Sequence, residues 1–130
     1  MHRWQAGRLS RESLGLIRTF DYSQLSVASA QALLWYVRNA LYFELGLFKR
    51  DDVMPVSYDA LVADPERTMR GVCSFLGFPY SARLVAHIEG RVPATVESLE
   101  IDPLIRDRCS ELQQMLDAAA QEKRLQYSPA

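Results

Sequence analysis

Lysine is almost missing from this chain: only Lys49 and Lys123 occur, and arginine supplies the rest of the 15 basic residues. Arginine suits bidentate contacts to anions and carboxylates, although a bias in genomic base composition gives the same pattern. Charge of one sign is also missing. With 16 acidic residues the formal net charge is −1 and the pI about 6.1, so there is no basic footprint for nucleic acid or for an anionic membrane surface. Cysteine and histidine are equally scarce. Cys73 and Cys109 fall at apolar positions of predicted helices, without the further thiols or closely spaced imidazoles that zinc requires. Both read as buried, reduced core residues. His2 and His87 are the only imidazoles, and no Ser, His and acid order suggests a nucleophilic triad. No long hydrophobic run is present either. The most apolar stretch, residues 32–37, is far shorter than the roughly 20 residues a bilayer span needs, and no apolar leader precedes a cleavage site. The chain reads as soluble and cytoplasmic, without a membrane span.

Its 130 residues are enough for one domain and a modest core, but short for an enzyme that must hold both a nucleotide and an acceptor. The organising stretch is residues 53–79. Residues 53–57 are short, apolar and β-branched, which predicts a buried strand with Tyr58 at its carboxyl end. Pro55 removes one ladder donor there and is best tolerated at an edge. A helix follows over residues 65–76, with Asp64 as N-cap, Pro65 at the first helical position, Gly77 as left-handed C-cap and Pro79 as the stop.

Elsewhere the pattern is helical. Ser10 with Glu12 opens a short helix to about Phe20, and Asp21 or Ser23 caps a helix expected over residues 24–48. That second helix is apolar nearly all round, through Leu33, Leu34, Trp35, Tyr36, Val37, Leu41, Tyr42 and Phe43, which predicts burial on most sides. A short helix over residues 82–89 stops at Gly90, and residues 91–101 have no clear period. Asp102 and Pro103 then repeat the cap-then-proline signal and open a helix to about Glu122, with Ile105, Cys109, Leu112, Leu116 and Ala119 on one face. The tail from Gln126 should fray. One strand cannot satisfy its own backbone groups, so the chain is expected to be a partial domain. It needs either a missing amino-terminal half or self-association through the apolar helix.

The motif of Tyr58, Asp59, Leu61, Asp64, Pro65, Phe75, Leu76 and Gly77, with apolar Met69, Val72 and Cys73 between, resembles the carboxyl-terminal half of the sulfotransferase family. Two positions differ: Ser57 stands where the family often has a basic residue, and Asp59 where it usually has Glu. The resemblance implies an α/β fold, with this chain as the mostly helical carboxyl-terminal part of a P-loop-like domain and one clear strand at residues 53–57. It implies 3′-phosphoadenosine 5′-phosphosulfate as sulfuryl donor and a small-molecule or carbohydrate hydroxyl or amine as acceptor. Tyr58 would lie beside the adenine, the alternative being a Tyr packed at a strand end. Arg91 would reach the 3′-phosphate or be a solvated loop residue. Arg18 and Ser26 have the spacing of the family's Arg and Ser at that phosphate, and read otherwise as a surface residue and part of a cap.

The family's sheet, its loop for the 5′-phosphosulfate and its catalytic base lie amino-terminal to the strand that ends in Tyr. No Gly-rich loop with Lys and Ser or Thr occurs in this sequence. No residue here is therefore assigned a catalytic role, and the chain alone is expected to be inactive. A non-catalytic helical interaction protein, whose apolar helix buries against itself in a homodimer or against a partner, is the alternative.

Overall fold

Short polar side chains at fixed offsets start nearly every helix of the chain. A computed structural model describes residues 9–89 and 99–127, and every regular element in these is helical. Five α-helices are present: α1 (Arg11–Thr19), α2 (Val27–Glu44), α3 (Tyr58–Ala63), α4 (Pro65–Leu76) and α5 (Pro103–Gln126). Single 3₁₀ turns occur at Leu47–Lys49 and Ala82–Leu84. They divide into two compact units, residues 1–50 with 98–113 and residues 51–97 with 114–130, so that α5 contributes to both.

In the first unit Ser10 caps α1, its hydroxyl accepting the Ser13 N–H at 3.0 Å, as the sequence suggested. The second helix begins later than predicted, because Asp21 spends its carboxylate on a local turn, accepting from Ser23 N at 3.0 Å and Ser23 Oγ at 2.7 Å. Such Asx turns compete with helix capping. Ser26 is the N-cap instead, accepting the Ser29 N–H at 3.1 Å. At the far end of α2, Glu44 accepts hydrogen bonds from the Ser10 and Ser13 hydroxyls and from the Ser10 N–H. These join the end of α2 to the start of α1. Near the other end, Ser29 Oγ accepts the Asp102 N–H at 2.8 Å, and Asp102 Oδ1 accepts the Leu104 N–H at 2.9 Å to start α5.

Between these polar ends lies the core: Leu16 of α1, Leu33 and Val37 of α2, and Ile105 of α5, flanked by Ile17, Phe20, Tyr36 and Cys109. Ile105 is fully enclosed, worth roughly 1.5 to 3 kcal/mol in transfer free energy. The expectation that α2 is buried on most sides is corrected here. Leu33, Val37 and Ala40 are buried, but Val27, Leu34 and the C-cap Leu45 remain exposed, since helices packed on one side of α2 leave uncovered the opposite face, which also carries Gln31 and Arg38.

The second unit departs most from expectation. Residues 53–57 form no strand, and there is no sheet among the described residues, so the α/β character is not seen there. Composition favours a strand in this segment, but a strand exists only as a member of a ladder, and no described neighbour supplies one. Tyr58 does not end a strand; it is the first residue of α3. Asp64 then both closes α3, its N–H donating to Ala60 O at 3.0 Å, and caps α4, its Oδ1 accepting the Arg67 N–H at 3.1 Å. Gly77, at φ 74°, ends α4 in the left-handed conformation, with Phe78 N donating to Cys73 O at 2.9 Å. Residues 82–89 yield a 3₁₀ turn rather than a helix, while α5 runs four residues past the expected Glu122. Cys73 is the single buried apolar side chain among the described residues of this unit. Caps and half-buried contacts, such as the edge-to-face pair of Phe75 and Tyr127 at 5.2 Å, therefore carry much of its order. Cys73 and Cys109 are free thiols, Cys109 donating to Ala32 O at 3.4 Å.

Candidate functional site

The corner of α3 and α4 gives the motif its geometry. Ser57 caps α3, its hydroxyl accepting the Ala60 N–H at 3.2 Å, and Asp59 in the first turn complements the helix dipole. Tyr58 follows the cap at the first helical position and is 74 % exposed. Its ring therefore presents a broad aromatic face to solvent. Thr68 of α4 is buried and donates to Ala60 O at 3.2 Å, locking the two short helices together. Two residues further along α4, Arg70 lies 4.1 Å over the Tyr80 ring and donates twice to Glu66 Oε1, at 3.0 and 2.7 Å. This pair is largely exposed, so it contributes little to stability.

A cleft of about 230 Å³ opens in the same unit, walled by Met54, Pro55, Val56 and Ala120, with Ser57, Thr68, Gln121 and Arg124 supplying polar groups. A second, of about 210 Å³, lies in the first unit between Gly15 and Thr19 of α1, Tyr36 of α2 and Leu104 of α5. Its mouth carries Glu12, which accepts from Arg108 at 3.3 Å. Partial burial pushes the Tyr36 phenol above its ordinary value, with nearby Glu12 adding to the effect. Glu44 is pushed up by partial burial, but the hydrogen bonds from Ser10 and Ser13 outweigh this and leave it below the usual carboxylate value.

The residues singled out from sequence do not meet at one place. Arg18 is exposed in the last turn of α1. Ser26 is committed to structure: its hydroxyl caps α2 and lies 2.9 Å from Glu100 O, to which it donates. Tyr58 belongs to the other compact unit, and Arg91 and His2 lie outside the described residues. Neither cleft is lined by Arg18, Ser26 or Tyr58. His87 is exposed. No group of three metal-ligating side chains occurs among the described residues, and no helix there is long and apolar enough to cross a membrane. Helix α3 and the Arg124 cleft were both missed from sequence. The first had a signal, Ser57 followed two positions later by Asp59, whereas the second joins residues too far apart in the chain to leave one.

The geometry thus defines a helical scaffold whose motif residues form a capped α3–α4 corner bearing an exposed tyrosine. The profile of the sulfotransferase family matches residues 8–82, which takes in α1 to α4 and every residue of that corner, and the chain belongs to this family. No curated protein and no solved structure is significantly similar to it.

Proposed function

We propose that this chain serves sulfuryl transfer from 3′-phosphoadenosine 5′-phosphosulfate to a hydroxyl or amine acceptor, with Tyr58 against the adenine. The observation that carries this reading is the family match across the α3–α4 corner, together with the exposed Tyr58 ring on it. A solvent-facing aromatic held at the start of a capped helix fits a purine face. Ser26 fits the 3′-phosphate poorly, because its hydroxyl proton is given to Glu100 O. In the transfer itself the S–O bond to the nucleotide breaks, a bond from sulfur to the acceptor forms, and a base takes the acceptor's proton. No residue of this sequence is assigned to the base or to the phosphosulfate loop. The reading therefore places them on a chain segment other than these 130 residues, and gives no turnover by this chain alone.

The test is a nucleotide titration with Tyr58→Ala and Tyr58→Phe. Loss of the ring should weaken nucleotide binding by about 1 to 2 kcal/mol, roughly five- to thirtyfold, while Tyr58→Phe, which keeps the stacking face, should bind as well as the wild type. Equal affinity for all three proteins would overturn the assignment. A second reading is favoured by Val27 and Leu34 of α2 and the C-cap Leu45, which are exposed on one face beside Gln31 and Arg38: a non-catalytic helical protein that self-associates through that face. A concentration-dependent dimer that is broken by Leu34→Glu and binds no nucleotide would favour it.

A further inference from the structure

Residues 53–57 reach the start of α3 with neither turn nor bend, and Ser57 is extended at φ −76° and ψ 125°. The N–H groups of Val53, Met54, Val56 and Ser57 and the carbonyls of residues 53–56 have no backbone partner among the described residues. Side chains of an extended segment alternate in direction. Four successive residues, 54–57, all line the cleft of about 230 Å³, so the backbone edge of the segment itself forms one wall. The facing wall is a single side of α5, where Asp117, Ala120, Gln121 and Arg124 recur at helical spacing. Asp117 and Arg124 each have interaction partners already, so the lining offers a ligand no spare charge. What it offers is unpaired backbone beside apolar side chains.

We propose that the groove between residues 53–57 and α5 docks an extended, uncharged peptide segment of another protein, which adds a strand along Met54 and Val56 and places one apolar side chain between Pro55 and Ala120. Successive residues of an extended chain direct their N–H and C=O groups to opposite edges. Pro55 has no N–H, which breaks the edge it shares with Val53 and Ser57, whereas Met54 and Val56 give the other edge an unbroken set of donors and acceptors. A set at ladder spacing is matched by a second backbone, as in recognition by strand addition. The space of about 230 Å³ is larger than the roughly 150 Å³ that holds benzene and takes one aliphatic or aromatic side chain. The strand composition of residues 53–57, which finds no ladder among the described residues, is then satisfied by the added strand. The groove is not lined by Tyr58 and does not depend on the sulfuryl-transfer reading. The nucleotide titration can fail while this stands, and the reverse.

The probe is the peptide acetyl-Thr-Val-Thr-Val-Thr-amide, titrated into the intact chain and followed by amide chemical shifts and amide exchange. It should bind saturably with a dissociation constant on the order of 1 mM or below, shifting the Met54, Val56 and Ala120 amides and slowing exchange at Met54 and Val56. Two analogues, N-methylated at the valines or at the threonines, block opposite edges of the peptide. One should bind at least about tenfold more weakly and the other like the parent, a comparison that needs no variant of the protein. Val56→Pro, which removes a donor that has no backbone partner in the free chain, should cost about tenfold in affinity. Ala120→Leu, which fills the groove and leaves the backbone edge intact, should abolish binding. The proposal is overturned if the peptide gives no saturable shift, if both analogues bind like the parent, or if folded Val56→Pro or Ala120→Leu binds like the wild type. A concentration-dependent dimer that the peptide dissociates would make a second copy of this chain the occupant and overturn the assignment to another protein.

Discussion

Replacing Asp64 by Ala tests whether the α3–α4 corner is held by one side chain. The substitution leaves the Asp64 N–H to Ala60 O bond intact, since that is backbone, and removes the carboxylate that accepts the Arg67 N–H at 3.1 Å. Loss of such a cap costs about 1 kcal/mol. The negative charge at the α4 N-terminus adds about 0.3 to 1 kcal/mol at an exposed site. Together these give about 1.5 kcal/mol, close to a tenfold change in the opening equilibrium of the first turn of α4. Because the second unit has so little buried apolar surface, the loss should appear as local opening before global unfolding. Amide exchange at Arg67 should therefore accelerate about tenfold in Asp64→Ala, with a smaller fall in the urea midpoint. Asp64→Asn keeps the acceptor and loses only the charge, so it should recover most of the protection. Unchanged Arg67 exchange in Asp64→Ala, or an Asn variant as damaged as the Ala variant, would refute the reasoning.

Gly77 sits at φ 74° with open space around its Cβ position, so Gly77→Ala adds backbone strain without a clash and should destabilise by about 1 kcal/mol in a denaturant melt; a neutral or stabilising result would count against the left-handed cap. For Glu44 the folded-state value is depressed, so its contribution is present above the ordinary glutamate range and is lost as pH falls through that range toward the folded value. Glu44→Gln should therefore lower the melt midpoint at pH 7 and narrow the gap to the wild type as the pH approaches 3.5. A gap that stays constant between the two pH values would show that the Ser10 and Ser13 bonds do not depend on the charge.

The helix boundaries are written in short-range chemistry. Ser10, Asp64 with Pro65, Gly77, and Asp102 with Pro103 act on groups a few residues away, so their effect is complete within a window any reader of the sequence can see. The family motif is of the same kind, because its residues from Tyr58 to Gly77 are spaced by those same caps. Tertiary structure decided whatever needed a distant partner. Residues 53–57 have strand composition, yet pairing is a property of two segments, and the described chain offers no second one. The apolar circumference of α2 could not tell which side would be covered; contacts with Leu16 and Ile105 chose the side of Leu33 and Val37 and left Leu34 in solvent. Ser26 carried a suggestive spacing from Arg18, but Glu100, 74 positions away, takes its proton. The close approach of the Arg124 stem to α4 depends on a glycine 53 residues earlier, Gly71, where an added Cβ would lie 3.2 Å from Arg124 Cγ. Local hydrogen bonding is encoded at fixed offsets, whereas packing and pairing are settled only when the chain brings remote residues within a few ångströms.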